Sequence, residues 1–200
     1  MCFGGLFMRV NIHIAVNKAL DAFAAKQVWV FNIRSMARIT GFNERNTAAF
    51  LQRNGELLGI KRAGRMFYLN PKVKPPFHAL YHLAALMRPD SPFYLSLESV
   101  LHEHDWVSQI PNRYTFVTTG RAAVIETVLG TIEFNRVFNS NSFLERLNGT
   151  RFDQERGVRV ASPQLALADL KALNRNLDLV RPEHERTEDY SVVRSSGFDD

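Results

Sequence analysis

The hydrophobic pattern of the first seventy residues is helical in three places and extended in two. Between Asn17 and Lys26, Ala19, Leu20, Phe23 and Ala24 recur at helical spacing. Val28-Trp29-Val30-Phe31 is a short β-type run. Asn32 can cap a second helix from Ile33 to Ile39, with Ile33, Met36 and Ala37 on one face. Gly41-Phe42 turns the chain, and Asn43 caps a third helix that ends near Gly55. There Ala48 and Leu51 face inward, with Phe50 at the edge of the core. Leu57, Leu58 and Ile60, a turn at 61–65 and Met66 to Leu69 predict a β-hairpin with Gly64 near its tip. This order is the layout of a winged helix-turn-helix.

Asn70 to Phe77 (NPKVKPPF) is the best linker, because its three prolines continue neither strand nor helix. Beyond it the pattern becomes mixed. His78 to Met87 is helical, and Ser96 caps a helix from Leu97 to His104. Tyr114–Thr118, Thr131–Val137 and Val158–Ala161 are strands. Ser162-Pro163 opens a helix over Gln164 to Leu173, with Leu167, Leu170 and Leu173 inward. Pro182 to Asp200 is polar and reads as a loose tail. The expected class is α+β, in three parts: a winged helix-turn-helix over 1–72, a mixed α/β domain over 78–181, and a tail over 182–200.

Charge sharpens this division. Residues 1–75 hold twelve Lys/Arg against three acids, and the remainder holds thirteen against seventeen. The halves carry +9 and −4 within a net +5. A basic head favours a polyanionic partner but does not by itself choose among DNA, RNA and an acidic membrane. The single cysteine, Cys2, excludes an internal disulfide and a thiolate metal cluster, which fits a reducing cytoplasm. No apolar run approaches the roughly 18 residues that span a bilayer, so no membrane partner is expected. The apolar start lacks the features of a signal peptide, and Met8 is an alternative start to Met1.

On the predicted fold, the outer side of the third helix carries Arg45, Asn46, Ala49, Gln52 and Arg53. Arginine forks to guanine, and Asn or Gln reaches adenine. Lys61, Arg62 and Arg65 on the wing would meet phosphate or the minor groove, and Arg34 and Arg38 would hold the backbone. A winged helix can instead bind protein.

Catalytic signals are weak. His102 and His104 lie about 200° apart on a helix, so they cannot clamp one metal together. His104 falls in register with Leu97, Val100 and Leu101, as a core-edge histidine would. Asp169-Leu170-Lys171 has the D-x-K form of metal-dependent nucleases, but sits in a helical pattern rather than on a strand. No phosphate loop or nucleophile elbow is present. The expectation is a non-enzyme without metal or cofactor.

Pro92 to His104 (PFYLSLESVLHEH) resembles the YYxSLxSALxxHG region of AbiEi-type antitoxins. Tyr114 to Thr119 (YTFVTT) resembles the strand that follows there, and Ala161 to Leu170 (ASPQLALADL) resembles the family's later helix. The N-terminal run TAAFLQRNGELLGIKRAGRMFYL is also in the family's arrangement. Asp105-Trp106 departs from the usual Gly-Leu. The resemblance spans roughly Ala19 to Leu173. It implies an autorepressor that binds inverted repeats in its own promoter as double-stranded DNA. It also implies an antitoxin of a type IV toxin–antitoxin system, countering a cognate nucleotidyltransferase toxin without a stable complex. Two copies on a palindrome would dimerise on DNA. The polar positions of the matched blocks, taken as exposed, are the candidates for antitoxin function: Ser96, Glu98, His102 and Asp169. A winged-helix regulator with a ligand- or partner-sensing second domain and no toxin is the alternative.

Overall fold

A computed structural model of the chain describes residues 3–64, 66–137 and 140–185. The fold is mixed α+β, and the chain divides into two compact units, Met1–Phe77 with Glu126–Leu129, and His78–Ile125 with Gly130–Asp200.

The first unit opens with α1 (Phe3–Ala25), much longer than the helix read from Asn17. Strand β1 (Val30–Asn32), α2 (Ile33–Thr40), α3 (Glu44–Asn54) and β2 (Phe67–Leu69) follow. Local chemistry sets these boundaries. The Asn32 side chain accepts from the Ser35 amide at 2.8 Å, and the Ser35 hydroxyl accepts from the Asn32 amide at 3.2 Å. This reciprocal capping box fixes the start of α2. Gly41 ends it at φ 76°, a left-handed conformation that costs glycine little. The Asn43 side chain caps α3 through the Asn46 amide at 2.8 Å. Val16, Leu20 and Phe23 of α1, Phe31 of β1, Met36 of α2, Phe50 and Leu51 of α3, and Ile60 form the core.

Three expectations change here. The inner face of α3 is Thr47, Phe50 and Leu51, while Ala48 is only half-buried. Thr47 buries because its hydroxyl donates to the Asn43 carbonyl at 3.0 Å, which satisfies its one polar group locally. The predicted first arm of the hairpin is not a strand. Glu56–Leu58 is a 3₁₀ turn that leaves Leu57 82% exposed. The hairpin survives only over 61–69, through a bridge between Arg62 and Tyr68, and β2 finds its strand partner in β1. The predicted linker also begins as part of this unit. Asn70 is buried, and its amide donates to the carbonyls of Leu20 at 3.1 Å and Val28 at 3.2 Å.

The second unit is built on a six-stranded mixed sheet. Its elements are α4 (Ala79–Met87), β3 (Phe93–Leu95), α5 (Glu98–Glu103), β4 (Arg113–Thr118), β5 (Ala123–Thr127), β6 (Gly130–Arg136), α6 (Ser140–Leu147), β7 (Thr150–Asp153), β8 (Val158–Ala161), α7 (Pro163–Ala172) and α8 (Pro182–Glu185). The strand order is β5-β6-β4-β3-β8-β7. Strand β3 runs antiparallel to β4 and parallel to β8, and β4 runs parallel to β6. Successive strand side chains point to opposite faces. Phe93 thus packs on Phe116 and Phe134, on the side where Tyr81 of α4 meets Phe116. Tyr94 points the other way, to Phe143 of α6 and Asp169 of α7.

Strands β3, β5 and β7 and helix α6 were not legible in the pattern. In α7, Ser162 caps through the Leu165 amide and Pro163 begins the helix, as the sequence suggests. Its inward residues are Leu165, Ala166, Leu167, Asp169 and Leu170, and Leu173 is half-exposed. The start of the expected tail is helical in α8, and residues 186–200 lie outside the described residues.

Candidate nucleic-acid interface

Burying Thr47, Phe50 and Leu51 turns the rest of α3 outward. Arg45, Asn46, Gln52 and Arg53 are all exposed and share one helix face, and Ala49 between them is half-buried. The spacing i, i+1, i+7 and i+8 places the four in two neighbouring rows, which continue over two turns. Arg38 lies exposed in the last turn of α2. Arg34 is exposed too, and its Nε meets Glu44 Oε1 at 3.2 Å across the α2–α3 turn. Both side chains are more than half exposed, so the pair is weak and open to exchange for another anion.

Lys61 and Arg62 are exposed on the 61–69 hairpin, with Arg62 Nε donating to the Gly64 carbonyl at 3.0 Å. Arg65 lies outside the described residues. Arg38, Arg45, Arg53 and Lys61 make no ion pair among the described residues. The shortage of acids is the physical reason. The acids of residues 1–77 are Asp21, which pairs with Lys72, Glu44, which pairs with Arg34, and Glu56.

The residues selected in the second half are placed quite differently. Ser96 does not cap α5. Leu97 holds the capping position at φ 59°, a strained conformation for a residue other than glycine, and it is fully buried. The Ser96 hydroxyl instead donates to Asp169 Oδ2 at 2.6 Å. The Tyr94 hydroxyl reaches the same carboxylate at 3.0 Å, and Arg146 pairs with its other oxygen. Ser96 and Asp169 are thus brought together, but neither is a surface position: both are buried, which corrects their reading as exposed residues. Burial pushes the Asp169 carboxyl up, against the hydrogen bond from Ser96 and the charge of Arg146. Burial likewise raises the Tyr94 hydroxyl, and the Asp169 charge adds to this.

Glu98 is half-buried and pairs with Arg175 at 2.7 Å. Arg175 also meets Glu133 at 2.6 Å, and Arg113 meets Glu133's other oxygen at 3.1 Å. Burial alone would raise the Glu133 carboxyl, yet the hydrogen bonds and charges of Arg175 and Arg113 hold it below the usual range. His102 is half-buried, with Nδ1 3.4 Å from the Val107 carbonyl. His104 is exposed rather than at the core edge, because α5 ends at Glu103.

Sequence reasoning missed Tyr94, Arg113, Glu133, Arg146 and Arg175 as members of polar networks. Their partners lie 20 to 77 positions away, so no local spacing could have signalled them.

Among the described residues, no group of three or more His, Cys, Asp or Glu is placed to hold a metal ion. None of their helices is long and apolar enough to cross a membrane. No protein-family model and no curated protein matches the chain.

Proposed function

We propose that the chain is a DNA-binding repressor of its own promoter and the antitoxin of a type IV toxin–antitoxin pair. The observation that carries the reading is the outward face of α3, where Arg45, Asn46, Gln52 and Arg53 stand exposed and neither arginine has an acidic partner among the described residues. On a helix lying in a major groove these types read bases. The order α2, three-residue turn, α3, hairpin and β1–β2 ribbon supports a winged helix-turn-helix as the frame. Arg34 and Arg38, beside the turn, then reach phosphates. Lys61, Arg62 and Arg65 serve the same purpose from the wing. Two copies would sit on an inverted repeat in double-stranded DNA, in the cytoplasm.

The antitoxin half of the proposal rests on the resemblance of 92–104, 114–119 and 161–170 to AbiEi-type antitoxins. The partner is a nucleotidyltransferase toxin, countered in function rather than by stable binding. Ser96 and Asp169 then support the antitoxin fold from within. Glu98 and His102 are left as the partly accessible candidates. The alternative regulator that senses a ligand draws on one observation, a cleft in the second unit beside Glu98.

The test is growth rescue. The reading frame adjacent to this gene is expressed with and without the protein. Relief of toxicity, kept when residues 1–75 are deleted, is the expected result. An adjacent product that is not toxic, or toxicity without relief, leaves the DNA-binding half alone and removes the antitoxin half.

A further inference from the structure

In the second unit a cleft of about 300 Å³ opens among Val107, Ile110, Pro111, Arg113, Arg175 and Leu179. That is the small end of the range for ligand sites. The charged side chains at its wall, and the Glu133 carboxylate that holds its two arginines, differ in exposure. Glu133 is the least exposed, at 11% of its side chain, then Glu98 at 17%, Arg175 at 25% and Arg113 at 38%. The acids therefore lie deeper than the guanidinium groups they hold.

Glu133 takes Arg113 Nη1 on one oxygen and Arg175 Nη1 on the other, so one carboxylate sets two guanidinium groups side by side. Arg175 Nε is fixed by Glu98 Oε1, and Arg113 Nε by Asn112 Oδ1 at 3.2 Å. Arg175 Nη1 also meets Asn135 Oδ1 at 3.1 Å. Nη2 of each arginine is left without a hydrogen bond among the described residues, and both atoms reach solvent.

The sign of the ligand follows from where the unused capacity lies. The only idle acceptor among these carboxylates, Glu98 Oε2, is buried and out of a ligand's reach. The idle donors of the two guanidinium groups are their Nη2 atoms, which reach solvent and are of the kind that binds carboxylate and phosphate oxygens. Beside them Ile110 is 76% exposed and Leu179 37% exposed, and they offer an apolar wall. We propose that this cleft binds a small organic anion, its carboxylate or phosphate on Arg113 and Arg175 and its apolar part against Ile110 and Leu179. The proposal does not rest on the DNA-binding or antitoxin reading; the cleft is the one on which the ligand-sensing alternative draws.

The test uses the full chain with benzoate and phenyl phosphate as probes and benzamide as the uncharged control. Binding is followed by amide chemical shifts and calorimetry. Saturable binding of at least one anion is expected, with shifts at Ile110, Arg113 and Leu179 and none with benzamide. Arg113→Gln should weaken it at least about tenfold. Ile110→Asp, at an exposed position, should weaken it as well, and keeps the test open if the arginine variant fails to fold. The proposal is overturned if neither anion saturates below about 10 mM, if benzamide binds equally, or if a folded variant leaves affinity unchanged.

Discussion

The two units differ in how their arginines are tied to acids. Among the described residues of the first, Arg38, Arg45 and Arg53 stand in solvent without carboxylate partners, and Arg34 has its pair on the surface. In the second, Arg146, Arg156 and Arg175 are a quarter exposed or less, and each binds at least one carboxylate. Acid supply separates them. Three acids cannot neutralise twelve cations in residues 1–75, while seventeen acids meet thirteen cations in the rest. Arg146, Arg156 and Arg175 are therefore structural ties, while Arg38, Arg45 and Arg53 are unspent charge. An unspent charge set on one helix face is what a polyanion can bind, and the account of DNA binding depends on it.

The comparison breaks if the buried ties turn out to be dispensable. Asp169→Ala strands the Arg146 guanidinium and two hydroxyls in the core, and should cost about 3–5 kcal/mol of stability in urea unfolding. A loss below about 1 kcal/mol would mean that the network is not a tie. Glu133→Gln comes next, at about 1.5–3 kcal/mol near neutral pH. Its pH dependence has a definite sign. The folded carboxyl is held below its ordinary value of 4.5, so its contribution is present above that value and lost as pH falls through the lower folded value. Unfolding midpoints of the variant should therefore decline less than those of the parent below about pH 4.5.

In the first unit the expected losses move from stability to affinity. Arg45→Ala or Arg53→Ala should leave unfolding unchanged and weaken operator binding by about 1–3 kcal/mol, with relaxed sequence preference. Lys61→Ala or Arg62→Ala should weaken all sequences alike. If the two sets behave identically in binding assays, α3 is not the reading element. The smallest effect is on stability at Arg34→Ala, under about 0.5 kcal/mol, because both members of its pair are exposed.

Local chemistry in the sequence exposed much of the first unit. Asn32 and Asn43 cap where they are expected, and Gly41 turns where glycine was needed. On α3 the apolar pattern points to Ala48, whereas Thr47 takes the inner position, because a threonine that bonds back to its own helix can be buried. The second unit was less legible. Strand β3 is three residues long and gains its identity from β4 and β8 on either side, far away in sequence. Strands β5 and β7 lie at the sheet edges, where partial exposure blurs alternation. Among its described side chains, helix α6 buries Phe143 and half-buries a few others. Ser96 reads as the cap of the helix from Leu97, but its hydroxyl answers to Asp169, 73 residues away.

The central claim is that the exposed cations of the first unit bind DNA, and salt tests it most directly. Binding of the full chain to its upstream promoter duplex is measured by fluorescence anisotropy across a salt series. With about six phosphate contacts, affinity should fall on the order of 10³-fold between about 50 and 200 mM salt. A flat response would contradict the claim, since a protein that binds through these cations must release counterions from the duplex.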